Sequence, residues 1–150
     1  MSRLGDAVQL SYDLETRLGR AFGELAERHA ADADVFHICS MFAEQCSSQA
    51  ARLRPHAERL SGTEASTGPT IAGRVDRDEQ GTDLLANLTG AFLLAQECWI
   101  TATVVRQAAL AARDEELLPV ISSCLEETST QLRWLETRIK TTAPQALTMS

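Results

Sequence analysis

The sequence predicts an all-α fold, a four-helix bundle of two helix hairpins joined by a long crossover linker. Three observations lead there. Helix breakers are concentrated: four of the eight glycines and one of the four prolines lie between Ser61 and Gly81, and the flanking stretches are rich in Ala, Leu, Glu and Arg, all good helix formers. Each flank then breaks once more at an Asp-rich point, Ala31 to Asp34 and Arg113 to Glu116, where Asp can cap a new helix start. Finally, apolar residues recur in alternating steps of four and three, the spacing of a bundle seam.

Taken in order, helix 1 is expected over 3–31 and helix 2 over 33–60. The linker follows over 61–81, then helix 3 over 82–112, helix 4 over 115–141 and a frayed tail over 142–150. The short turns make each consecutive pair antiparallel, and the linker lets the hairpins close on each other. Pro55 and Pro119 are misfits: the first should kink helix 2, and the second is comfortable only near the start of helix 4.

A chain of 150 residues suits one domain with its own core, here 1–150. Fourteen Lys and Arg against twenty-one Asp and Glu give a net charge of −7, with no basic run to neutralise successive phosphates. Nucleic acid and anionic membrane surfaces are therefore not expected partners. Arg3, Asp6 and Asp13 interrupt the N-terminal stretch, and no run of eighteen apolar residues occurs, so a cytoplasmic location is expected. Cys39, Cys46, Cys98 and Cys124 lack CxxC spacing and read as buried free thiols.

A shift of 82 residues superposes the two halves. The inward stripe of helix 2 reads Val35, Cys39, Phe42, Cys46, Gln49, Leu53, and that of helix 4 reads Leu117, Ile121, Cys124, Thr128, Gln131, Leu135. The corresponding stripes are Ser11, Glu15, Leu18, Phe22, Leu25 in helix 1 and Leu93, Glu97, Ile100, Val104, Gln107 in helix 3. Glutamate interrupts helices 1 and 3 at one place, and glutamine interrupts helices 2 and 4 at another. Buried carboxylates and amides cost several kcal/mol unless satisfied, so these four predict one shared polar site in the bundle centre.

At these residues the chain resembles the ferritin-like superfamily, in particular the rubrerythrin and bacterioferritin type of di-iron bundle, over about 110 residues. The resemblance implies that each hairpin supplies a Glu from its first helix and a Glu-x-x-His from its second. Glu15 and Glu97 match the two lone glutamates. Cys46 and Gln49 stand where the first Glu-x-x-His belongs, and Thr128 and Gln131 where the second belongs. Four of six implied ligands are thus replaced, and an amide oxygen is a weak substitute for imidazole.

Glu15 and Glu97 are therefore read as a buried carboxylate pair tied by the amides of Gln49 and Gln131 rather than as ligands. Any retained iron or manganese would use Glu15, Glu97 and a displaced carboxylate, Glu127; Glu44 and Glu126 read as solvated flanks. His29, His37 and His56 form no metal spacing, and no nucleophile motif or phosphate loop is present. Trp99 and Trp134 suit hairpin packing or an oligomer surface. The functional expectation is a non-catalytic scaffold or binding protein without cofactor, partnered by a second copy or another protein. The alternatives are a residual di-metal oxidase and a bundle holding a small apolar ligand near Cys46 and Thr128.

Overall fold

Four long helices account for almost everything the computed structural model describes, which is residues 3–61 and 83–148. They are α1 (Arg3–Arg28), α2 (Ala33–Ser61), α3 (Leu84–Ala112) and α4 (Leu117–Thr148). The linker expected over 61–81 lies outside the described residues beyond Ser61.

Carboxylates start the helices as the sequence suggested. Asp32 Oδ1 accepts the Val35 N–H at 3.2 Å and Asp114 Oδ1 accepts the Leu117 N–H at 3.1 Å, so the two hairpin turns are capped at matching places. Asp83 caps α3 through the Leu85 N–H at 3.0 Å. At the end of α3, Arg113 takes a left-handed conformation (φ 56°), and the N–H groups of Arg113 and Asp114 reach back to Leu110 and Ala109.

Three boundaries differ from expectation. Helix 1 stops at Arg28, because residues 29–32 form the turn that ends at the Asp32 cap. Pro119 is the third residue of α4, inside the first turn, where a missing N–H costs nothing. The tail is helical rather than frayed: α4 runs through Pro144 to Thr148, with Thr142 buried against the bundle. The carbonyl that Pro144 leaves without a helical donor is that of Lys140, an exposed residue, where water can replace the lost bond.

Each helix packs on two others, α1 on α2 and α3, and α4 on α3 and α2; the diagonal pairs α1/α4 and α2/α3 stay apart. Side chains that join α2 to α4 run in opposite order along them, from Gln45 with Gln131 to Arg59 with Asp114, so this pair is antiparallel. It follows that α2 and α3 are parallel on a diagonal. The end of α2 and the start of α3 therefore lie at opposite ends of the bundle, roughly 40 Å apart for a 29-residue helix.

The core is two apolar clusters. One gathers Leu14, Leu18, Phe22, Phe42, Leu94 and Leu135; the other gathers Val8, Leu53, Val105, Leu117, Val120 and Ile121. Every helix passes from one cluster to the other across a buried polar residue: Ser11 on α1, Gln49 on α2, Thr101 on α3, Thr128 and Gln131 on α4. All four cysteines are buried and unpaired. Helix α3 is long and apolar enough to span a membrane by length and composition (mean hydropathy 1.4), although half of that window is buried in the bundle.

Candidate functional site

The polar layer between the two clusters is the candidate site. On α2 and α4 the expected stripes are buried at every position, Val35 to Leu53 and Leu117 to Leu135. On α1 the expected stripe is buried too, but on α3 only Glu97 of the expected five is: Ile100 and Val104 are 38% and 39% exposed, Gln107 is exposed and Leu93 is half-buried. The match between α1 and α3 is at a shift of 83, not 82. Eight of the nine buried positions of α1 then fall on buried positions of α3. The cause is the turn: six steps separate buried Ala26 from the Asp32 cap, but only five separate buried Ala109 from the Asp114 cap. Cys98, not Glu97, thus stands in the place of Glu15, and Glu97 takes the place of Leu14.

The amides also differ from expectation, since neither donates to Glu15 or Glu97. Gln49 Nε2 donates to Ser123 Oγ and to Glu127 Oε1, both at 2.9 Å, and its Oε1 accepts from the Cys124 thiol at 3.3 Å. Arg52 reaches the same amide oxygen at 3.4 Å and Ser123 at 3.2 Å. Gln131 Nε2 donates to Gln45 Oε1 at 3.1 Å and to Cys46 Sγ at 3.8 Å, while its Oε1 is buried without a partner. The reason is geometric. Both glutamines sit on the α2/α4 seam, where the amide head reaches the facing helix sooner than it reaches α1 or α3.

Glu15 is 4% exposed. Burial pushes its carboxyl up to about 7; a hydrogen bond from the Cys46 thiol offsets part of this, and the charge of Glu127 adds to it. Burial, and then the charge of Glu15, likewise push the Cys46, Cys98 and Cys124 thiols well above their ordinary range. These thiols stay protonated, which suits Cys46 to donate and leaves all three poor nucleophiles. Glu15 also lines a groove of about 540 Å³ on the outer side of the α1/α2 seam, with Tyr12, Gly19, Arg20, Ser47 and Arg54. Ala51, whose carbonyl Pro55 leaves without a helical donor, lines it as well.

Glu127, read from the sequence as a displaced carboxylate, does turn toward the centre, held by Gln49. Among the described residues no three His, Cys, Asp or Glu side chains converge as a metal ion would require. Thr128 is buried in the layer, Glu44 and Glu126 are exposed, and His29 bonds Asn87 at the α1/α3 end. Trp134 packs edge-on against Phe42 while Trp99 is 36% exposed, so the two tryptophans have different roles. Sequence reasoning missed Gln45, Ser123 and Arg52; Gln45 and Arg52 lie within one turn of Gln49, which places them on the same helix edge.

Searches of protein-family models, curated proteins and solved structures found no match to this chain.

Proposed function

We propose that this chain is a non-catalytic bundle of ferritin-like layout, acting in the cytoplasm as a scaffold or binding protein and partnered by a second copy or another protein. One observation carries the reading: three of the side chains at the positions aligned with di-iron ligands, Gln49, Gln131 and Glu15, are engaged by neighbouring side chains of the bundle. Gln49 is held by Ser123, Glu127 and Cys124, Gln131 by Gln45 and Cys46, and Glu15 by Cys46. The diagonal placement of α2 and α3, which calls for a crossover connection, supports the layout.

Two irons would need four carboxylates and two imidazoles; with Cys98 in the place matching Glu15, two thiols, two amides and a hydroxyl stand at five of those six places, so the donor set does not fit. The test is a metal count on protein purified without chelator. Less than about a tenth of an equivalent of iron or manganese per chain is the expected result, and a stoichiometric count would overturn the reading, since a retained site must bind at working metal concentrations.

The groove beside Glu15 favours a second reading, a bundle that holds a small ligand. Its volume is in the range of small-molecule sites. Native mass spectrometry of freshly purified protein decides this: a retained mass lost on Gly19→Leu, which fills the groove, supports it, and bare protein counts against it.

A further inference from the structure

Helix α3 is apolar on both sides. Its inner side builds the core, while Trp99, Ile100, Val104 and Leu110 are 36–43% exposed and make up four of the seven large hydrophobic residues exposed on the described surface. The one charge between Asp83 and Arg106 is Glu97, which is 8% exposed. The outer sides of the other helices are charged, as with Arg20 and Glu24 on α1, Glu44 and Arg54 on α2, and Glu126 and Glu136 on α4. A helix that is hydrophobic all round is ordinarily covered, and in a chain of net charge −7 this is the outer face along which two like molecules meet without like-charge repulsion.

The ends of the helix carry opposite signs, Asp83 at the start of α3, Arg106 in its last two turns and Arg113 just past its end, all beyond the uncharged stretch. Two copies of α3 packed antiparallel about a twofold axis beside position 98 would face Asp83 with Arg113 of the second copy. Equal steps inward pair Val104 with Phe92 and Ile100 with Gln96. The helix dipoles also oppose. We propose that the outer face of α3 is a homodimer interface in which two copies pair antiparallel, Trp99, Ile100 and Val104 filling the middle and Asp83 meeting Arg113 at each end. This rests on the scaffold reading and names its partner as a second copy of this chain.

Sedimentation equilibrium of the full chain should give a dimer at micromolar concentration. The double variant Ile100→Glu with Val104→Glu should weaken it at least a hundredfold while the helical circular dichroism is kept. Both positions are more than a third exposed and lie outside the two core clusters, so the substitutions leave the core residues in place. Should that variant not fold, charge reversal answers the same question: Asp83→Lys or Arg113→Glu alone should weaken the dimer about tenfold, and both together should restore it, on the scale of a salt-linked contact. The Asp83 cap is lost in the single and the combined variant alike, so restoration reports pairing and not helix stability. A chain that stays monomeric, a dimer indifferent to the glutamates, or one indifferent to the charge reversals would overturn the proposal. So would a monomer that floats with phosphatidylcholine vesicles, which would assign the face to a membrane. The metal count tests the scaffold reading separately, so a metal-loaded dimer would sink that reading alone.

Discussion

Gln49 and Gln131 hold matching places on α2 and α4, and each donates its amide to the residue four positions before the other, Gln49 to Glu127 and Gln131 to Gln45. Their carbonyl oxygens part company. Cys124 donates its thiol to Gln49, but the residue in the matching place of the first hairpin is Phe42, which has no proton to give, and the Gln131 oxygen is left buried and alone. The same asymmetry recurs nearby. Glu15 on α1 is matched by Cys98 on α3, and Gly19 is matched by Ala102. Absence of a side chain at Gly19 lets α1 lie close on α2: an added Cβ would stand 3.1 Å from the Cβ of Cys46. Burial at matching positions therefore does not impose matching chemistry. Each hairpin fills those positions with side chains of different volume and polarity.

Glu15 should show the largest difference between the hairpins. Its folded pKa of about 7 exceeds the ordinary 4.5, so the folded chain keeps a proton that the unfolded chain releases. Stability is unaffected below pH 4.5, falls as pH rises from there to about 7, and is level above. The penalty at pH 8 is about 3 kcal/mol at most. Glu15→Gln should recover most of it at pH 8 and none at pH 4, as read from urea unfolding at both. An unchanged pH slope in the variant would mean that another group is responsible.

Filling the close seam comes next. Gly19→Leu forces a branched chain against Cys46 and Ala43 and should cost about 2–3 kcal/mol by overpacking, whereas Ala102→Gly in the other hairpin should cost about 1 kcal/mol. Similar losses in the two variants, measured by the same unfolding curves, would break the claim that only the first hairpin is closely packed by a glycine.

The glutamines give a smaller but sharper contrast. Gln49→Leu takes this partner from Glu127 and Cys124, while Ser123 keeps Arg52, and should cost about 1–2 kcal/mol, whereas Gln131→Leu removes a buried unpartnered carbonyl and should be neutral or stabilising. Equal melting temperatures for the two variants would show that the missing donor at Phe42 has no consequence.

Gly23→Ala is the smallest and serves as the control for Gly19. Nothing lies within 4 Å of an added Cβ there, so the variant should gain up to about 1 kcal/mol from helix propensity alone. A loss would place an unseen neighbour on that face of α1.

Much of this molecule was legible one residue at a time. Helix propensity, the breakers between Ser61 and Gly81, the caps at Asp32 and Asp114 and the period of the apolar stripes are local properties, so the sequence alone determined four helices in two hairpins. It also marked Glu15, Gln49, Thr128 and Gln131 as buried polar residues, because a polar side chain interrupting a periodic stripe has nowhere else to go. What only the tertiary structure decided is what those residues meet. The second turn is one residue shorter, which rotates α3 so that Cys98 rather than Glu97 faces the layer and Ile100 and Val104 face outward. The spacing of α2 from α4 sends both amides across that seam instead of to the carboxylates, and burial of Thr142 carries α4 past Pro144. These outcomes depend on turn length, on the volumes of residues distant in the chain and on the distance between helices, none of which is a property of any local stretch of sequence.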